Sequence, residues 1–170
     1  MEALAELLRR ESSLGQVLLF KFVETRQLLR ADETRFLAWA GAEVDRSRSR
    51  LREVDLLRAA TSQTQADQFG LRAPITLAAL AKVSPPPYRR IFDDQRRLLG
   101  GLVSEIEGLA ADVVDLSHGA IAALASGRAA PAAGPLTCAV LSPTERETAY
   151  QSVLVAAGRL QLPSLVAFLA

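Results

Sequence analysis

A single histidine, His118, and a single cysteine, Cys138, leave this 170-residue chain nearly without the side chains that ligate metals or act as nucleophiles. One cysteine forms no internal disulfide and suits a reducing compartment, so the cytoplasm is the expected location. Aromatic residues make up only 5% of the sequence, with one tryptophan, Trp39, and two tyrosines, Tyr88 and Tyr150. A surplus of charge is missing too. The 20 basic and 19 acidic residues leave a formal net charge of +1, which gives no concentrated basic face for nucleic acid. Lysine is confined to Lys21 and Lys82, so arginine carries nearly all the positive charge. Glu2 and Glu6 stand where a signal peptide would have a cationic region, and no window approaches the roughly 20 apolar residues of a membrane span. Phosphate loops, nucleophile elbows and cysteine-histidine arrangements are all lacking. No enzyme, cofactor or metal site is expected.

What the chain has is helical periodicity. Between Tyr88 and Ala120 the core-type positions Tyr88, Phe92, Gln95, Leu99, Leu102, Ile106, Leu109, Val113, Leu116 and Ala120 step alternately by four and three. That period belongs to a long helix lying against partner helices. Two further helices are expected, near Glu2 to Leu29 and Asp32 to Phe69. The first carries an apolar face of Leu4, Leu7, Leu8, Leu14, Leu18, Phe22 and Leu28; the second carries Phe36, Ala40, Val44, Ser47, Leu51, Val54, Leu57 and Thr61. Asp32 is the expected N-cap of the second, and Gly70 its stop. Thr76 caps a short helix before Pro85-Pro86-Pro87, which fixes the entry to a third long helix ending near Ser126. Gly100-Gly101 inside that helix predicts close approach by a neighbour.

The expected fold is all-α: an elongated antiparallel, coiled-coil-like bundle of three long helices over residues 1–126. A Pro/Gly/Ala-rich linker, 127–141, leads to a C-terminal amphipathic tail helix within 142–170. Ser142-Pro143-Thr144-Glu145 is a capping box with proline at the first helical position. The tail presents Tyr150, Val153, Leu154, Ala157 and Leu160 along one face.

Isolated polar features read as structure. Asp115 lies one turn before His118, but a di-iron bundle needs Glu-x-x-His motifs on two helices, and a second histidine does not exist. Arg46, Arg48, Arg50 and Arg52 scatter around a helix among Glu43, Asp45, Glu53 and Asp55, as a solvated, charge-laced surface does. Asp93-Asp94 and Glu105/Glu107 point to different sides of their helix. Trp39, one turn after Phe36, is expected in a core or between helices.

The words Leu18-Leu19-Phe20-Lys21-Phe22, Glu24, Leu28-Leu29, Thr34-Arg35-Phe36-Leu37-Ala38, Glu43-Val44, Glu53-Val54-Asp55-Leu56-Leu57-Arg58 and Phe69-Gly70-Leu71 come in a telling order. With Thr76-Leu77, Leu80 and the helix from Tyr88 to Leu124, they resemble the FlgN family of flagellar export chaperones in its actinobacterial form. The resemblance covers about the first three quarters of the chain. It implies a cytoplasmic, non-enzymatic chaperone of bacterial flagellum assembly. Such a chaperone binds the C-terminal helices of hook-filament junction proteins, FlgK- or FlgL-like, and delivers them to a FlhA-like component of the type III secretion export gate. It implies further that Tyr150 is the tail tyrosine used at the gate. The expected client surface is the apolar strip Val113, Leu116, Ala120, Ile121 and Leu124, which the tail covers when no client is present. Homodimerisation is left open. A structural coiled-coil adaptor without an export role shares every periodicity argument and is the alternative.

Overall fold

The computed structural model describes residues 1–127 and 141–170. The expected linker therefore falls, but for its two ends, outside the described residues, and so does Cys138. The described chain is all-α, with no strand among those residues. Its helices are α1 (Glu2–Arg30), α2 (Thr34–Gln68), α3 (Leu77–Val83), α4 (Pro86–Ala125), α5 (Pro143–Gly158) and α6 (Pro163–Leu169).

Two compact units divide the chain: Met1–Val17, Arg48–Ile106 and Gln161–Ala170 in the first, Leu18–Ser47 and Glu107–Leu160 in the second. In the first, Leu4 and Leu8 of α1, Ala66 of α2, Leu77 and Leu80 of α3, Phe92 and Leu99 of α4 and Leu165 and Phe168 of α6 share one buried cluster.

The main buried stripe of α1 is Leu4, Leu8, Glu11, Gly15, Leu18, Phe22, Thr25 and Leu29, with Ala5 and Ser12 buried beside it. The positions of the stripe alternate steps of four and three without a break, and hydropathy hid the pattern because a carboxylate, a glycine and a threonine occupy three of them. Helical hydroxyls in such places satisfy themselves on the preceding turn: Thr25 Oγ1 donates to the Lys21 carbonyl at 2.7 Å and Ser117 Oγ to the Val113 carbonyl at 2.7 Å. In α2 the register runs Leu37, Ala40, Val44, Ser47, Leu51, Val54, Arg58, Ser62 and Ala66. This corrects the expectation at both ends of the helix. Phe36 is 45% exposed and Leu57 53% exposed, while Leu37 and Arg58 are buried in their places. In α4, Leu99, Leu102, Ile106 and Leu109 are buried as expected, joined by Val103, Ala110 and Ser117. That third position per heptad widens the stripe beyond a two-position seam.

Helix ends explain the turns. Asp32, the expected cap of α2, instead closes α1, at φ 55°. The Glu33 N–H donates to the Leu28 carbonyl at 2.9 Å and the Asp32 N–H to the Leu29 carbonyl at 3.2 Å, a Schellman pattern. Gly70, at φ 65°, ends α2 with the same pair of bonds from Leu71 to Ala66 and from Gly70 to Asp67. Thr76 caps α3 through its hydroxyl, and the Ser142–Glu145 capping box starts α5. The close-approach role expected of Gly100 and Gly101 belongs elsewhere: a Cβ on either would meet nothing within 4 Å. At Gly15 it would lie 2.5 Å from Leu102 Cδ2, and at Gly41 3.2 Å from the Ser152 carbonyl oxygen on α5.

The tail is two helices rather than one. Arg159 ends α5, and Pro163 sits in the first turn of α6, where its missing N–H costs nothing. The expectation that no stretch has the make-up of a membrane span is also too strict. By length and composition an 18-residue window of α4 and another within residues 143–169 meet that test, with 22% and 33% of each window buried.

Candidate functional site

In the second unit, α1 and α2 leave an open groove of about 520 Å3 between them, lined by Val23, Leu28, Ala31, Phe36, Trp39 and Ala40, with Lys21, Glu24 and Glu43 at its rim. Trp39 is 59% exposed. This overturns its expected core position, and the reason lies in the register: Leu37 and Ala40 take the buried places and turn Phe36 and Trp39 outward. The rim charges are already matched. Lys21 Nζ lies 2.8 Å from Glu24 Oε2 and 5.7 Å from the Trp39 ring centroid, and Glu43 pairs with Arg46. The groove therefore offers an apolar floor and a neutral edge, which suits the aliphatic face of a helix.

The strip expected on α4 is partly hidden. Val113 is fully buried, whereas Leu116, Ala120, Ile121 and Leu124 are half-buried. Leu116 and Ala120 do reach a surface groove of about 460 Å3, together with Arg30, Asp112, Asp115 and Gly119. No described tail residue lines either groove. His118 is exposed, and among the described residues no group of three or more His, Cys, Asp or Glu could hold a metal ion.

Of the expected tail face, Tyr150, Val153 and Ala157 are buried, and Leu154 and Leu160 are half-buried. Arg146 joins them because Asp32 receives it. The Arg146 Nη2 lies 2.6 Å from Asp32 Oδ2, and the Tyr150 hydroxyl donates to Asp32 Oδ1. Burial, reinforced by the neighbouring carboxylate, raises the Tyr150 pKa, so the phenol stays a neutral donor. One residue therefore does two tasks: an aspartate tolerates the left-handed backbone that ends α1, and its carboxylate secures α5. Asp32→Gly separates them. It relieves the backbone but removes both acceptors, and we expect a net loss of roughly 1 to 3 kcal/mol by denaturant melting, since hydrogen bonds to charged groups outweigh the glycine gain. A gain in stability would show that the α5 contacts contribute nothing.

In the first unit, Arg58 is the largest side chain to be fully buried. Its Nε lies 2.9 Å from Glu11 Oε1, its Nη2 pairs with Asp55 and lies 3.3 Å from Ser164 Oγ, and the guanidinium carbon is 4.2 Å from the Phe168 ring centroid. The pair escaped sequence reading because Leu57 was the apolar choice; the signal was the polar Glu11 at a core step of α1. Burial pushes the Glu11 carboxyl up to about 7 against the opposing pull of Arg58, and Asp55 adds a smaller push upward. A folded pKa above the unfolded value of 4.5 contributes stability that is complete below 4.5 and lost as pH rises through about 7. Urea melts between those pH values should show stability falling as pH rises, and Glu11→Gln should flatten that part of the profile. An identical slope in the variant would assign the pH dependence to other groups.

No family model, no curated protein and no solved structure matches the chain.

Proposed function

We propose that the protein is a non-enzymatic, cytoplasmic helix-binding chaperone of the FlgN kind, holding a helical segment of a FlgK- or FlgL-like protein for delivery to a FlhA-like export gate. The observation that carries the binding part is the groove at Trp39: the chain's one tryptophan is turned to solvent beside Phe36 over an apolar floor. Exposed aromatics around a groove are what a helix-in-groove contact uses as anchors. The flagellar assignment rests on the resemblance of the sequence words.

The same proposal takes α1, α2 and α4 as an antiparallel bundle of three long helices. Supporting it, Met1 N lies 3.1 Å from Gln65 Oε1 and Glu11 pairs with Arg58, so low numbers in α1 meet high numbers in α2. Ser12 Oγ donates to Gln95 Oε1 at 2.7 Å, which sets the start of α1 beside the start of α4. In this reading Tyr150 serves an export gate only after α5 has left Asp32.

Calorimetry of the full chain with a C-terminal helical fragment of a FlgK-like protein tests the proposal. Trp39→Ala should weaken binding at least about tenfold, the loss of one interface anchor. Leu116→Asp decides whether the α4 groove shares the contact. No binding at all would favour the structural adaptor.

A further inference from the structure

In the second unit α4 outlasts the helix it packs against. Arg26 of α1 reaches Asp112 of α4, and Arg30, one turn on, lines the α4 groove with Asp115, Leu116, Gly119 and Ala120, so the two helices run in the same direction and α1 ends there. α4 continues to Ala125. Its alternation of three and four continues as well, from Val113 through Leu116 and Ala120 to Ala123, and asks for a partner helix that α1 no longer supplies. Past Ser117 no residue of α4 is buried, although residues 120–125 are all apolar. A Cβ on Gly119 would meet nothing within 4 Å, so among the described residues nothing packs over it.

The walls of this groove also carry unmatched charges. Arg30 on α1 and Asp115 on α4 are both exposed, and neither side chain has a hydrogen bond or ion pair among the described residues. The groove at Trp39 differs, since its rim ions pair within the chain. A cation on one wall and an anion on the other form a self-complementary set, which is what a contact between identical surfaces requires.

We infer that the end of α4 is a contact surface for a second copy of this chain. A two-fold axis along the groove sets Arg30 of each copy against Asp115 of the other. It also lays the two α4 ends side by side in the same direction, where Leu116, Ala120 and Ala123 supply an apolar seam and Gly119 lets the backbones approach. The inference rests neither on an export role nor on the groove at Trp39.

Sedimentation equilibrium of the full chain over a range of concentrations, with two charge reversals at exposed positions, tests it. Wild type should form a concentration-dependent dimer. Arg30→Glu sets acid against acid across the two-fold axis and Asp115→Arg sets base against base, so each variant alone should dimerise at least about tenfold more weakly. Mixed in equal amounts, the two variants should recover the dimer, because an acidic residue then faces a basic one at both positions. A monomer at every concentration overturns the inference, and so does a dimer that neither reversal weakens, which would put the contact on another face. Variants that dissociate alone and do not recover on mixing also overturn it. A monomeric chain in which Leu116→Asp weakens binding of the FlgK-like fragment would give this strip to the client instead.

Discussion

Replacing Arg58 by methionine should cost roughly 3 to 5 kcal/mol of unfolding free energy near neutral pH, because it leaves Glu11 buried without its partner. The side chains of Arg58 and Glu11 are 2% and 0% exposed, so water does not compensate either one. The loss should be smaller at pH 5, where Glu11, whose pKa lies at about 7, is already neutral. Restoring balance from the other side gives the sharper result. The double change Glu11→Leu with Arg58→Met should recover most of the stability, since an apolar pair of similar volume replaces a buried ion pair at little cost. Chemical denaturation of the two variants at pH 5 and pH 7.5 decides it. If Arg58→Met is as stable as wild type at both, the pair contributes nothing to the first unit.

Leu102→Ala is expected to cost roughly 2 to 5 kcal/mol, for a different reason: it opens a cavity where a side chain is in close contact with backbone. Leu102 is 7% exposed, and a Cβ at Gly15 would stand 2.5 Å from its Cδ2, so α1 comes as near at that point as a glycine permits. The truncation and the glycine are coupled. Gly15→Ala in the Leu102→Ala background should restore part of the loss by filling the space and by favouring the helix, whereas in the wild-type background it forces Leu102 to move. An unchanged denaturation midpoint for Leu102→Ala would remove Leu102 from the core.

What could be read from the sequence was whatever the local code states twice. The Ser142–Glu145 box carried two start signals, Gly70 the residue type that adopts its φ without strain, and α4 an apolar register that is buried from Phe92 to Val113 except at the half-buried Gln95. The misreadings share a cause. Hydropathy ranks Leu57 above Arg58 and does not choose between Phe36 and Leu37, but a helix face is chosen as a whole, and the face carrying Arg58 also carries Leu51, Val54 and Ala66. Only knowledge that Glu11 lies opposite makes that choice favourable, and Glu11 is 47 residues away. Trp39 followed the same slip outward. Asp32 is ambiguous in the sequence because a carboxylate between two helices suits the start of the second as well as the end of the first, and its partners Arg146 and Tyr150 lie far along the chain. Gly100 and Gly101 show the limit of arguing from composition, since their lack of side chains serves no contact in the structure.

The groove at Trp39 is the centre of the functional account, and the chain reports on it without modification because no other tryptophan emits. Titrating the full chain with a C-terminal helical fragment of a FlgK-like protein while recording tryptophan emission is the most direct measurement. A saturable blue shift at a one-to-one ratio, abolished when Glu24 and Leu28 of the groove are replaced by lysine and aspartate, is the predicted result. Saturable binding by calorimetry with no change in Trp39 emission would place the client elsewhere, and no binding by either would contradict the account.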